Sequence, residues 1–310
     1  MKNAYKIIIS GLDYAGKTSI LTALDKKYNF QKEITELKPT IKVEYHQFNF
    51  LGNLVFMWDM GGQERYRKIY KERKEIYFAG TDLLVYVIDI QDDKRFLESL
   101  SYLKDILIFF QENQEDVPII ISFHKYDPGI RDSAEILLNI NKLKDQISEN
   151  FQEFKILFQQ SSIYDIISIV QLISYGLSVF DEAFFDLSEL MEEYLTEIFN
   201  CTSLILFDEN GIIISEFYSD NIGPEIYVEL IDSIKEHIFV LKRMKEESFK
   251  EDYNFFSLEN KLLSYLHKIN IENQSFFISA VIEENNKEKL LDKLPDLVEE
   301  SSKILESILL

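Results

Sequence analysis

The sequence predicts an α/β protein in two units: a six-stranded, mostly parallel sheet with helices on both faces, then a smaller α-β-β-α-β-β-β-α unit. Three observations carry this expectation. From Tyr5 to Phe180 short apolar runs alternate with helical patterns, as in strands joined by crossover helices. After about Phe180 that rhythm gives way to hairpins and amphipathic helices. At 310 residues the chain also exceeds the size of one small domain. The boundary falls after Glu182, giving units 1–182 and 183–310.

In the first unit the expected strands are Tyr5–Ser10, Val43–Leu51, Leu54–Asp59, Leu83–Asp89, Ile119–Phe123 and Phe154–Gln159. The second and third form a hairpin through Gly52-Asn53, a strong turn signal. The ends of the other strands are where ligands sit in such sheets. Ile163 to Phe185 approaches the length of a membrane span, but Asp165, Gln171, Asp181 and Glu182 interrupt it. It reads as a largely buried helix.

The second unit opens with an amphipathic helix marked by Leu187, Leu190, Met191, Tyr194, Leu195, Ile198 and Phe199. A hairpin, Thr202–Phe207 with Gly211–Tyr218, turns across Asp208-Glu209-Asn210. A helix from Gly223 to Met244 carries Pro224 in its first turn. Strands near Asp252–Ser257, Lys261–Ile269 and Phe276–Glu283 follow, and a last helix carries Leu290, Leu294, Leu297, Ile304 and Ile308.

Composition excludes several functions. The net charge of -21 is uneven, with 22 Lys/Arg against 27 Asp/Glu up to Glu182 and 11 against 27 beyond it. Such a field repels phosphate backbones and anionic lipids, so nucleic acid is not an expected partner and a basic protein surface is. One cysteine, Cys201, rules out an intrachain disulfide and a Cys-based zinc site. The start, Met1-Lys2-Asn3-Ala4, has no signal-peptide apolar region, and Lys2 stands where N-myristoylation needs glycine. The expectation is a cytoplasmic protein with no transmembrane segment, meeting membranes only through a partner. His46, His237 and His267 each lack a second ligand nearby in sequence, and Glu246-Glu247, Glu283-Glu284 and Glu299-Glu300 read as solvated charge.

Gly11-Leu12-Asp13-Tyr14-Ala15-Gly16-Lys17-Thr18 matches G-x-x-x-x-G-K-[ST], after an apolar strand and before the helical pattern Ile20, Leu21, Leu24. Gly11 and Gly16 permit the backbone to turn successive N–H groups toward phosphates, so Asp13, Tyr14, Ala15, Gly16, Lys17, Thr18 and Ser19 are the expected phosphate-binding residues. Lys17 brings a charge to the β- and γ-phosphates, and the Thr18 hydroxyl suits Mg²⁺. Thr40, before the second strand, could place a second hydroxyl on that ion, and Asp59 at the end of the third a carboxylate. Asp59-Met60-Gly61-Gly62-Gln63 also brings the Gly62 N–H to the γ-phosphate and Gln63 to the attacking water, making Gln63 and Lys17 the candidate catalytic residues. Arg65, Arg67 and Arg73 after it read as a solvated basic face, with a role in hydrolysis for one of them as the alternative.

These motifs resemble the Ras superfamily of small GTPases over the whole first unit. Gly11-Leu12-Asp13 and Trp58-Asp59-Met60-Gly61-Gly62-Gln63 are similar to the Arf and Rag branches more than to Ras itself. His124-Lys125-Tyr126-Asp127, where most of the superfamily has Asn-Lys-x-Asp, is similar to the Rag/Gtr branch. The resemblance implies a P-loop G domain binding GTP and GDP with Mg²⁺. Asp127 would accept from guanine, Lys125 would lie along the base, and the Ser162–Ile163 region would offer a backbone N–H to guanine O6. His124 replaces an Asn that normally ties this loop to the phosphate loop, so the brace at that position is open. The second unit's element order resembles the roadblock-like domain of Rag/Gtr proteins. That implies pairing through it, as a homodimer or with another Rag-like chain, and contact with a roadblock-type scaffold, a GTPase-activating protein or an exchange factor. Two alternatives stand beside this: an Arf-like trafficking GTPase with an unrelated tail, and a nucleotide-binding scaffold with little hydrolysis.

Overall fold

The computed structural model describes residues 4–26, 37–51, 53–178, 183–208, 212–219, 253–257, 261–271 and 274–309. The chain divides into two compact units, Met1–Gly176 and Leu177–Leu310. The boundary expected after Glu182 falls in residues 179–182, outside those described.

In the first unit β1 (Ala4–Gly11), β2 (Val43–Phe50), β3 (Asn53–Met60), β4 (Leu83–Asp89), β5 (Ile119–His124) and β6 (Ile156–Ser161) form one sheet in the order β2-β3-β1-β4-β5-β6. Only β2 and β3 pair antiparallel; the others run parallel. Helices α1 (Lys17–Lys26), α2 (Glu64–Glu72), α3 (Lys74–Phe78), α4 (Phe96–Glu112), α5 (Ala134–Asn150) and α6 (Ile166–Leu177) connect them. A strand covered on both faces needs apolar side chains on both, which is why Ile7, Ile8 and Ile9 are consecutive and all buried. On one face Leu84, Tyr86 and Ile88 pack with Leu103, Ile106 and Phe110 of α4 and Ile140 and Leu143 of α5. On the other, α6 comes so close that a Cβ on Gly176 would lie 2.5 Å from Leu83 Cδ2 and 3.0 Å from Ile120 Cδ1.

Strand β6 starts and ends later than its apolar run suggests, because its parallel register with β5 continues to the polar pair His124 and Ser161. The long apolar stretch from Ile163 yields a helix only over Ile166–Leu177, and Ala183 begins a separate one. Among the described residues no helix is long and apolar enough to cross a membrane.

In the second unit α7 (Ala183–Glu193) runs into a π-helical turn, Tyr194–Phe199, ended by Asn200 in the left-handed conformation (φ 51°). Strands β7 (Ser203–Asp208), β8 (Ile213–Tyr218), β9 (Tyr253–Ser257), β10 (Leu262–Ile271) and β11 (Gln274–Glu283) form an antiparallel sheet in the order β8-β7-β11-β10-β9. The last helix, α8 (Lys287–Leu309), buries Leu290, Leu294, Leu297, Ser301, Leu305 and Ile308 at helical spacing and packs on α7 and β10. Glu300, expected to be solvated, accepts a 2.9 Å hydrogen bond from the Tyr194 hydroxyl. The expected helix Gly223–Met244, His237, Glu246-Glu247 and the 209–211 turn lie outside the described residues.

Gly176→Leu should destabilise the full chain by about 1–3 kcal/mol, because the added side chain has no room against β4 and β5. Urea unfolding checks this: the midpoint should fall with little change in slope.

Candidate functional site

Gly11 closes β1 at φ 144° and Gly16 precedes α1 at φ 98°, conformations that L side chains rarely adopt. A Cβ on Gly11 would also overlap the Val87 carbonyl of β4. The loop between them leaves Tyr14 in the left-handed region, 76% exposed, and Ala15 buried. Lys17, only 5% exposed, folds back along the loop and donates to the carbonyls of Gly11 (3.1 Å) and Leu12 (2.6 Å). Burial pulls its ammonium down to about 8 although Asp59 and Asp13 oppose the shift, so an anion in this loop would meet a desolvated cation. Ser19 sits half-buried in the first turn of α1.

The three oxygen-bearing residues expected around a cation converge. Thr18 Oγ1 donates to Asp59 Oδ2 (2.5 Å), Thr40 Oγ1 lies 2.7 Å from Thr18 Oγ1, and Thr40 donates to the same Asp59 oxygen (3.1 Å). Asp59 is fully buried, and its Oδ1 has no hydrogen-bond partner. A buried carboxylate oxygen left unpaired is costly. Two hydroxyls beside it make an all-oxygen set that fits a hard divalent cation such as Mg²⁺.

The ends of β4, β5 and β6 build the second half of the site. Lys125, at φ 61°, donates from Nζ to Asp89 Oδ2 (2.6 Å). The Asp127 carboxylate is fixed from both sides: Ser162 Oγ donates to one oxygen (2.6 Å) and Gln91 Nε2 to the other (3.0 Å). Gln91 Nε2 also reaches the Lys125 carbonyl (2.7 Å). The Ser162 N–H is taken by Ser168 Oγ (3.0 Å) and the Ser162 side chain orients Asp127, so the Ser162 amide itself is not a donor for a ligand.

His124 supplies the missing brace. Its ring is 1% exposed, Nδ1 lies 2.8 Å from Ser161 Oγ, and Ser161 Oγ lies 2.7 Å from Ser122 Oγ. The ring rests on the phosphate loop: a Cβ on Gly16 would fall 2.7 Å from His124 Nε2. Burial, with the Lys125 ammonium adding to it, holds the imidazole down to about 3, so it is neutral at physiological pH. The contact therefore works by shape and hydrogen bonding.

Gly62 meets the phosphate loop directly. The Asp13 N–H donates to its carbonyl (3.1 Å), and a Cβ on Gly62 would overlap Asp13 and Leu12. Gln63 is the extended N-cap of α2 (φ -61°, ψ 143°). Asp13 is paired by Arg95, which donates to its side chain (2.6 Å) and carbonyl (3.1 Å). Asp89, Gln91 and Arg95 escape motif reading; Asp89 ends β4 and Gln91 follows it, where ligands sit in such sheets, but Arg95 stands just before α4 with no such mark. Arg67 is not part of a solvated face, since its Nε donates to the Gly62 carbonyl (2.9 Å) and its side chain is 12% exposed.

The unfolded chain takes up a proton at His124 near pH 6.5 while the folded chain waits until about 3, so this residue's share of stability is lost as pH falls below 6.5. His124→Asn should therefore lose less stability than wild type between pH 6.5 and 4. Melting temperatures across that range check it, and parallel curves would contradict the buried neutral ring.

A model of the ADP-ribosylation factor family matches residues 1–171, so the second unit lies beyond the match. The chain is similar to ADP-ribosylation factor-like protein 3 of Chlamydomonas reinhardtii, 36% identical over 122 residues, which are 39% of this chain and 63% of that protein. It is also similar to alp41, an ADP-ribosylation factor-like protein of Schizosaccharomyces pombe, 32% identical over 142 residues (45% of this chain, 70% of that one). A third similarity is to Ras-related GTP-binding protein A of Dictyostelium discoideum, 31% identical over 134 residues, 43% of this chain and 44% of that protein. The matches to the first and third thus span less than two thirds of those relatives. The solved structure of the Arl6 BBS3 small GTPase from Trypanosoma brucei with bound GppNp aligns with TM-score 0.43 and 17% identity, over 57% of this chain and 96% of that one. The phosphate loop of this chain, the oxygens converging on its Asp59 and the family match over residues 1–171 place the chain in the ADP-ribosylation factor family of small GTPases.

Proposed function

We propose that the chain is a guanine-nucleotide switch that binds GTP and GDP and hydrolyses GTP to GDP and phosphate. The observation that carries this is Asp127, held by Ser162 and Gln91 on a turn whose neighbour, His124, rests against Gly16 of the phosphate loop. A carboxylate fixed in that way accepts two donors from guanine; adenine has no such pair and would set its acceptor N1 against the carboxylate, which would cost it several kcal/mol, roughly. In this reading the Ile163 amide donates to guanine O6.

In this reading the amides from Tyr14 to Thr18 bind the phosphates, the Asp13 N–H being taken by the Gly62 carbonyl, and Lys17 swings from the Gly11 and Leu12 carbonyls to the β- and γ-oxygens. Thr18, Thr40 and Asp59 would hold Mg²⁺, which when bound neutralises charge on the phosphates. Gln63 orients the attacking water, and the Gly62 N–H faces the γ-phosphate. Losing that phosphate frees Thr40 and the Gly62–Gln63 segment, an order-to-disorder change that partners can read. Hydrolysis without a partner's arginine is slow; such a residue is worth ~10³–10⁵ in rate.

For the whole chain we propose the Rag/Gtr type, in which the second unit pairs with a like chain and the protein works in the cytoplasm. His124 and the α7-β7-β8 and β9-β10-β11-α8 order support it. The family match, ending at residue 171, favours a second reading: an Arf-like trafficking GTPase whose remaining residues are an unrelated tail.

Gln63→Leu should reduce single-turnover GTP hydrolysis by at least about tenfold with GTP binding retained. Asp127→Ala should erase the preference for GTP over ATP; unchanged GTP affinity would mean the base site lies elsewhere. Light scattering on the full chain separates the two whole-chain readings. Twice the monomer mass supports pairing, whereas a monomer at the highest soluble concentration, alone and with a Rag-like chain, supports the unrelated tail.

A further inference from the structure

We infer that Arg95, Glu98 and Arg67 form a closed relay that fixes the Gly62–Gln63 turn against the phosphate loop, which makes them positioning residues for hydrolysis. The inference rests on the GTPase reading and adds residues to it. Its basis is a ring of contacts drawn from three separate segments. Arg95, just before α4, donates to the Asp13 carboxylate (2.6 Å) and carbonyl (3.1 Å), and its third nitrogen, Nε, donates to Glu98 Oε2 (3.1 Å). The other Glu98 oxygen accepts from Arg67, whose Nε donates to the Gly62 carbonyl (2.9 Å). That same carbonyl accepts the Asp13 N–H (3.1 Å), which closes the circuit.

The ring holds two cations and two anions and is electrically balanced. Isolated pairs at this exposure, 43% for Glu98 and 30% for Arg95, would contribute little. Here each group is shared, each guanidinium uses separate nitrogens for separate partners, and Arg67 lies over the Tyr102 ring at 5.4 Å. Arg95, with Arg67 behind it, keeps the Glu98 carboxyl below the ordinary carboxylate range.

Position gives the ring its consequence. Asp13 is a carboxylate inside a loop built for phosphates, and Arg95 both neutralises it and turns it toward α4. Arg67 belongs to the first turn of α2, where its own N–H and that of Tyr66 bond the Gln63 carbonyl. Pulling the Gly62 carbonyl from two sides while that turn holds the Gln63 carbonyl sets the direction of the Gln63 side chain. A misplacement of about 1 Å at a reacting group costs up to ~10²-fold in rate.

The test compares single-turnover phosphate release and GTP affinity in full-length wild type, Glu98→Gln, Arg67→Lys and the double variant. Glu98→Gln keeps the shape and removes the charge; Arg67→Lys keeps the charge but cannot reach Gly62 and Glu98 together. Each should slow release by about 10- to 10²-fold with GTP affinity within about threefold, and the double should be no slower than the worse single. Multiplying effects, or a loss of affinity equal to the loss of rate, would overturn the relay, as would wild-type rates in both singles. If Glu98→Gln is too unstable to assay, Arg67→Lys decides alone by its split between rate and affinity. Failure of wild type itself to release phosphate would instead refute the GTPase reading.

Discussion

The phosphate loop is wedged into a space with no room for a side-chain carbon, and the rest of the first unit depends on that fit. Gly11 touches the Val87 carbonyl, Gly16 the His124 ring, and Gly62 the backbone of Leu12 and Asp13. Each contact joins the loop to a different strand end: β4, β5 and β3. The parallel register makes this possible, because it brings the carboxyl ends of these strands to one edge of the sheet. Any β-carbon at these positions would push a strand end away, so the loop's shape follows from packing as much as from glycine's freedom.

From that wedge the chemistry follows by proximity. Fixing β3 against β1 sets Asp59 beside Thr18, and the β2–β3 hairpin brings Thr40 to the same carboxylate. Fixing β5 sets Lys125 and Asp127 at the far end of the loop, where Asp89 at the end of β4 and Gln91 just beyond it receive them. The buried, unpaired Asp59 Oδ1 and the desolvated Lys17 are both unfavourable for the chain alone. Each is relieved by a ligand of opposite charge, so the site stores a preference for a cation bound next to a polyanion.

Much of this was legible in the sequence because its signals are local. The runs Ile7-Ile8-Ile9, Leu83–Ile88 and Ile119–Ile121 are uninterrupted, as strands covered on both faces must be, and the glycine spacing of the loop sits between the first of them and an amphipathic helix. Less was legible at β6, where register with β5 extends the strand through polar residues to Ser161. Arg95 and Glu98 were not legible, since nothing in Asp93–Glu98 signals a partner in the phosphate loop far earlier in the chain. Arg67 reads as surface charge in the sequence because it stands with Arg65 and Arg73 on the segment after Gln63, while its length lets it fold back to Gly62.

On this reading one pocket both selects guanine and binds phosphate through the same wedge. Displacement of a fluorescent GDP analogue from the full chain by GTP, GDP and ATP in the presence of Mg²⁺ tests it most directly. GTP and GDP should compete, with at least about a hundredfold weaker displacement by ATP, in line with rejection of a base that sets an acceptor against Asp127. Equal displacement by ATP, or no binding of the analogue, would contradict it.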